Sequence, residues 1–155
     1  MSRIFRRNFA IVVLLCFSAD AISQDSLTIV REYLESGYKN FAFCRCLYSS
    51  NSKDSTIVKE FVSNDGSAAG YFDVVDIGLE HSIILDSLAR KYSRKYYPSK
   101  YDNPLLLMKC LDFYNSAELK DSINSILNRY KEYYSESDQL EYFYKRAMIR
   151  KEHMK

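Results

Sequence analysis

What most restricts the fold of this chain is how seldom its backbone is interrupted. Gly occurs 4 times and Pro twice in 155 residues, whereas Tyr and Phe together number 23. Each Gly inside a helix costs about 1 kcal/mol and each Pro about 3, so these residues punctuate rather than build helices. A chain with so few of them and so many bulky side chains favours long helices over a turn-rich β fold. Its length suffices for one domain with a true core and is too short for two comfortable ones.

The apolar pattern carries the same message segment by segment. Residues 27–48 set Val30, Leu34 and Phe41 at helical spacing and then enter "FAFCRCLY", apolar around nearly the whole circumference. That stretch is predicted to be the most buried part of a first helix. "SSNSKDS" at 49–55 breaks it, and "STIVKEFV" reads equally well as a short helix or a strand. Asn64-Asp65-Gly66 is a turn signal, with Ser67 as cap of a helix predicted from about Ala68 to Tyr96. Phe72, Val75, Leu79, Ile83 and Leu88 lie near one stripe of that helix. Gly70 and Gly78 weaken it and offer close backbone approach in return. Tyr97-Pro98 opens a break that lasts to Pro104, where Asn103 caps and Pro104 begins the next helix.

Leu106, Leu107, Cys110, Phe113, Tyr114 and Ala117 then fall on one face. Asn115 and Glu118 have the spacing of a capping box, which predicts a kink or restart near residue 115. The pattern resumes as Leu119, Ile123, Ile126, Leu127 and Tyr130. "SESDQ" interrupts it, and a last helix from Gln139 to about Arg150 carries Leu140, Phe143, Tyr144 and Ala147. These segments predict an all-α, compact bundle of five to six helices, one of them long.

The first 23 residues read differently. "MSRIFRRNFAIVVLLCFSADAIS" joins a basic start to an apolar stretch from Phe9 to Ala19 and a small-residue exit at Ala21 and Ser23, the layout of a cleavable secretory signal. The apolar stretch falls short of the roughly 20 residues of a spanning helix, which speaks against a retained anchor. Leu15, directly before Cys16, is too large for the usual lipid-attachment site. The expected organisation is therefore a signal at 1–23 and a single helical domain at 24–155, with about 135–155 as a C-terminal helical extension.

Export alters both charge and cysteine chemistry. The chain has 22 basic and 20 acidic residues. The leader takes Arg3, Arg6, Arg7 and Asp20, leaving nineteen of each sign. No global basic field remains to attract nucleic acid, and nothing in the mature chain calls for a membrane. The basic tail "KRAMIRKEHMK" reads as a solvated helix end whose cations suit the C-terminal dipole. Cys16 leaves with the signal, so Cys44, Cys46 and Cys110 remain; in an oxidising compartment two of the three can pair.

Catalytic constellations are sparse. The chain has two histidines: His153 is the third residue from the last position, and His81 would need a cysteine far away in sequence. "CRC" is not a redox C-x-x-C, and two cysteines without a local histidine make a poor zinc site. Asp73, Asp76 and Glu80 share a helix face at spacings of three and four; such a triplet suits a cation, but more commonly a solvated or partner-facing acidic stripe. No glycine-rich phosphate loop is present. The residues point away from an enzyme, with no catalytic group, metal or cofactor assigned.

Three segments, "YKNFAFCRCL", "NDGSAAGYFD" and "KCLDFYNSAEL", in this order and spacing, resemble the immunity proteins of type VI secretion amidase effectors, the fourth class of the Tai group. The resemblance covers most of residues 38–127, and its last motif is the most specific. Asn115 stands where the family often has His, Cys44 is an additional cysteine, and residues 130–155 extend beyond it. The resemblance implies an all-α periplasmic homodimer that binds a papain-like cysteine amidase, an enzyme that cuts peptidoglycan stem peptides. It implies that the loop before the KCLD helix, here Tyr96, Tyr97, Pro98, Ser99, Lys100, Tyr101, Asp102 and Asn103, enters the amidase cleft. The preceding helices, with the acidic face of Asp73, Asp76 and Glu80, would support it. Tyrosine brings large rigid contact area and is enriched at interfaces; equally, such tyrosines can simply pack the end of a bundle.

The partner of Cys110 is open from the residues alone. Helical phase favours Cys44, on one stripe with Val30 and Leu34. The resemblance implies Cys46, which stands just before the Leu of the family's Cys-Leu.

Overall fold

The structure, a computed structural model, describes residues 3–51, 71, 78–98 and 105–153. It is all-α, as expected: among the described residues there are six helices and no strand. They are α1 (Arg3–Asn51), α2 (Leu79–Ser93), α3 (Leu106–Tyr114), α4 (Ala117–Arg129), α5 (Lys131–Ser135) and α6 (Ser137–His153). None is long and apolar enough to cross a membrane among the described residues. The segment "STIVKEFV" and the Asn64–Gly66 turn lie outside the described residues.

The chain divides into two units, Met1–Tyr33 with Glu132–Lys155, and Leu34–Lys131. In the first, Val30 and Tyr33 of α1, Tyr134 of α5, and Phe143 and Ala147 of α6 are buried. Phe143 and Ala147 are four apart, the spacing that puts two side chains on one helical face. Arg31 Nη1 donates to the Tyr134 hydroxyl at 3.3 Å, and the Arg150 guanidinium lies 6.0 Å from the centre of the Tyr33 ring. The basic residues of α6 are thus partly used in packing, their long apolar stems covering aromatic surface.

The second unit holds the larger core. Leu34, Tyr38, Phe41, Ala42 and Cys46 of α1 are buried, as are Leu85, Ala89 and Tyr92 of α2, Cys110 and Phe113 of α3, and Leu119, Ile123, Ile126 and Leu127 of α4. Helix α2 packs on both α3 and α4. The Tyr92 and Phe113 rings meet at 4.8 Å between centroids. The buried residues of α4 are the ones its periodicity predicted, because a single clean apolar stripe leaves one way to face the core.

Three expectations are corrected. The helix predicted from Ala68 to Tyr96 is interrupted: Gly78 is extended (φ −55°, ψ 148°), and α2 starts after it and stops at Ser93. The Gly78 carbonyl instead accepts from His81 and Ser82 N–H at 2.9 and 3.3 Å. The low helix propensity of glycine makes this the cheapest place to break. The buried face of α2 is also not the predicted one. Ile83 is 60 % exposed, while Leu85, Ala89 and Tyr92 face inward. The apolar residues of α2 nearly encircle it, so which face is buried follows from the partner helices. Third, Ser116, not Asn115, caps α4. Its Oγ accepts from Leu119 N–H at 3.2 Å and donates to the Phe113 carbonyl at 2.7 Å, closing α3 and opening α4 with one hydroxyl. Asn115 turns back to the Leu111 carbonyl, and Glu118 is drawn to Lys91 Nζ at 2.6 Å.

A disulfide joins Cys46 of α1 to Cys110 of α3, with Cα atoms 5.6 Å apart. Cys44 lies outside the bond, half-buried. Phase pointed to Cys44 because it was carried forward from the first turns of the helix. The buried residues of α1 include Val30, Leu34, Tyr38, Ala42 and Cys46, every fourth position. Each step of four advances roughly 40° around a helix with 3.6 residues per turn. After four such steps the buried face has swung to Cys46.

Candidate functional site

The segment after α2 opens the stretch 96–103 that the sequence singled out, and helix α3 follows it. α2 stops at Ser93 with Arg94 as its C-cap, and the Lys95 N–H returns to the Tyr92 carbonyl at 3.1 Å. The Lys95 ammonium sits over the Tyr92 ring, 3.3 Å from its centre, so the chain leaves the helix held by a cation–π contact. Tyr96 follows, 88 % exposed. Tyr97 is turned the other way, its hydroxyl donating to the Asp112 carboxylate of α3. That hydrogen bond to a carboxylate holds the Tyr97 phenol above its ordinary value. Pro98 is exposed. Ser99, Lys100, Tyr101, Asp102 and Asn103 lie outside the described residues, as does the predicted cap at Asn103 and Pro104.

Helix α3 is fixed from behind. Cys110 and Phe113 are fully buried, one in the disulfide and the other against Tyr92. Tyr114 makes an edge contact with Phe43 of α1, with centroids 5.7 Å apart, and Lys39 lies 4.2 Å from its ring centre. On the outer side Leu107 is 58 % exposed, and Met108 and Leu111 are exposed with it. Leu107 was predicted to face inward with Leu106. Cys110 and Phe113 set the inward face instead, and Leu107 falls on the far side. The exposed apolar side of α3 could have been suspected from the sequence, since "PLLLMKCL" has more apolar residues than one helix face can bury.

Of the acidic face, Asp73 and Asp76 lie outside the described residues, and Glu80 stands in the first turn of α2, beyond the extended Gly78. Helical spacing therefore does not relate Glu80 to the other two. Its Oε2 accepts from the Tyr130 hydroxyl at 3.3 Å.

Sequence reasoning missed the buried Asp86 on α2 and weighed His81 chiefly as a partner for a distant cysteine. Asp86 accepts from Arg45 Nε at 2.6 Å and from Arg90 Nε at 2.7 Å, tying α1 to α2. Burial pushes its carboxyl up, but the hydrogen bonds and charges of the two arginines outweigh this and hold it below the ordinary range. His81 is only 4 % exposed. Its Nδ1 is 3.2 Å from the Tyr38 hydroxyl, and the Tyr130 ring stands edge-on 4.1 Å away between centroids. Burial lowers its pKa, the Glu80 charge opposes this and Arg129 adds to it. Nε2 has no hydrogen-bond partner, so His81 is not engaged with a thiol.

The comparison with family models matches residues 36–124 to the family described as type VI secretion system (T6SS), amidase immunity protein (Tai4). The chain belongs to this family. No curated protein and no solved structure matches it. The matched span takes in the second part of α1, all of α2 and α3, the first part of α4, the disulfide and the Tyr96–Pro98 segment. This T6SS amidase immunity protein is not an enzyme. Its family is one of immunity to a type VI secretion amidase.

Proposed function

We propose that the protein is exported by its leader to the periplasm and there binds a peptidoglycan-cleaving cysteine amidase, covering the cleft in which the enzyme works. The mature domain is 24–155, with about 135–155 a helical extension, and it acts as a homodimer. Residues 96–103 supply the principal contact, assisted by Asp73, Asp76 and Glu80.

The observation that carries this reading is the opposed placement of two adjacent tyrosines. Tyr96 stands out into solvent while Tyr97 is moored to Asp112 on a helix that is itself stapled to α1. A large aromatic held out by a rigid base loses little freedom on binding, which is how anchor residues reach high affinity. The exposed Leu107, Met108 and Leu111 offer apolar area on the helix that follows.

The test is co-expression of the full chain with a candidate type VI secretion cysteine amidase, both directed to the periplasm. Protection from lysis, and its loss when the leader is deleted, is the expected result. Lysis that proceeds despite folded, exported protein refutes the proposal. Protection by leaderless protein refutes the location alone.

A further inference from the structure

The first turn of α2 is lightly built. The Gly78 carbonyl accepts from His81 and Ser82 N–H, and glycine brings no side chain to cap the helix. What ties this turn to its neighbours is the His81 ring, which is buried. Its Nδ1 lies 3.2 Å from the Tyr38 hydroxyl of α1. The Tyr38 and Tyr130 rings stand edge-on to it, at 5.9 and 4.1 Å between centroids. One side chain thus joins α2 to α1 and to the end of α4, three residues after the bend at Gly78.

This seat suits a neutral ring and not a charged one. Nε2 is buried and has no hydrogen-bond partner. An imidazolium carries N–H on both nitrogens, so a positive charge would be enclosed with one donor unmet. The first turn of a helix also bears the positive end of its dipole. From α4, the Arg129 guanidinium adds like charge. Glu80 pulls the other way, but it is exposed and its Oε2 already accepts from the Tyr130 hydroxyl. Burial outweighs the Glu80 charge, and the ring holds a proton less firmly than a free histidine.

We propose that His81 is an acid-released latch: when the ring takes up a proton, the first turn of α2 swings away from Tyr38 and Tyr130 about Gly78, while the rest of α2 stays packed. Opened, the ring protonates near the ordinary value of about 6.5; closed, it does so only at lower pH. The closed form therefore binds fewer protons. Its advantage is full above about pH 6.5 and is lost as pH falls through the closed-state value, the opening constant rising about tenfold per pH unit between the two. The remainder of α2 has its own anchors in the buried Leu85, Ala89 and Tyr92. Asp86 stays ionised between Arg45 and Arg90 over this range, because its carboxyl protonates only below the usual carboxylate range. The latch stands whether or not residues 96–103 bind an amidase.

The experiment measures, in the full-length mature protein, the His81 titration by NMR and amide hydrogen exchange from about pH 7 to about pH 5. Exchange is expressed as protection, corrected for the pH dependence of the exchange chemistry itself. The second histidine, His153, lies far off in the last turn of α6. Protection of the Ser82, Ile83 and Ile84 amides is expected to fall about tenfold, with the midpoint of the His81 titration, while that of Ala89 and Tyr92 holds. In His81→Phe, which keeps an aromatic ring against Tyr130, the fall should vanish. A His81 titration at or above about pH 6.5, protection of the turn that ignores pH, or loss along the whole of α2 at once overturns the latch. So does an undiminished fall in His81→Phe. Should that variant fail to fold, the titration and exchange profile of the unaltered protein decide by themselves.

Discussion

Breaking the Cys46–Cys110 bond should cost this protein a large share of its stability. The bond closes a loop of 64 residues. In the chain-entropy picture, a cross-link of that span removes about 4 kcal/mol of freedom from the unfolded chain. Net stabilities of domains lie near 5–15 kcal/mol, so roughly a quarter or more is at stake. Both cysteines are fully buried, and alanine at Cys110 gives up, besides the bond, only a 3.6 Å contact with the Ser50 hydroxyl. Cys46→Ala, Cys110→Ala and the double variant should therefore lose nearly the same amount, because each breaks one and the same bond. With a urea slope of about 1.5 kcal/mol/M, the unfolding midpoint falls by about 2–3 M. Cys44→Ala, by contrast, should shift it by less than about 0.7 M, the effect of trimming a half-buried side chain. Equilibrium urea unfolding of the oxidised mature protein reads all four. Tryptic mapping without reduction gives an independent answer, since cleavage after Arg45 separates Cys44 from Cys46. A linked peptide containing Cys44, or a midpoint loss in Cys44→Ala as large as in Cys110→Ala, refutes the assignment.

Three further outcomes are expected. Asp86→Asn should destabilise by about 2 kcal/mol near neutral pH, because it leaves Arg45 and Arg90 without their carboxylate. The native pKa of Asp86 is depressed, so its contribution is present above the unfolded value of about 3.9 and is lost as pH falls through the native value. The gap between wild type and variant should therefore narrow on acidification below pH about 4; a gap that stays constant to acid excludes the linkage. Ser116→Ala should cost about 1 kcal/mol in thermal or urea unfolding through loss of the α4 cap, whereas Asn115→Ala should cost less. Tyr96→Ala should weaken amidase binding by more than about 1 kcal/mol in calorimetry while leaving the melting temperature unchanged, and an unchanged affinity removes Tyr96 from the interface.

Legibility from the sequence depended on how one-sided each helix is. In α4 the apolar residues form a single stripe, and Leu119, Ile123, Ile126 and Leu127 were placed correctly. In α2 they run around the helix, and Ile83 was put inside where the fold exposes it. The restart near 115 was visible, but the choice between Asn115 and Ser116 was settled when Lys91 drew Glu118 away from any capping role. Of the proposed site, the tyrosines were visible as composition. Their opposite orientations were not, because they depend on Asp112 reaching Tyr97 from the next helix.

By itself, the sequence determined that this chain is helical and to which family it belongs. Those properties follow from local backbone cost and from contiguous motifs, all readable within a few residues. The family resemblance already implied the Cys46–Cys110 pairing that helical phase left open, whereas tertiary structure alone decided which face of α2 is buried and how His81 and Asp86 are accommodated. Each of these is set by partners far away in the chain: Tyr38 for His81, Arg45 for Asp86, Cys46 for Cys110. Helical periodicity constrains neighbours three or four residues apart; it carries no information about which side of one helix another will cover.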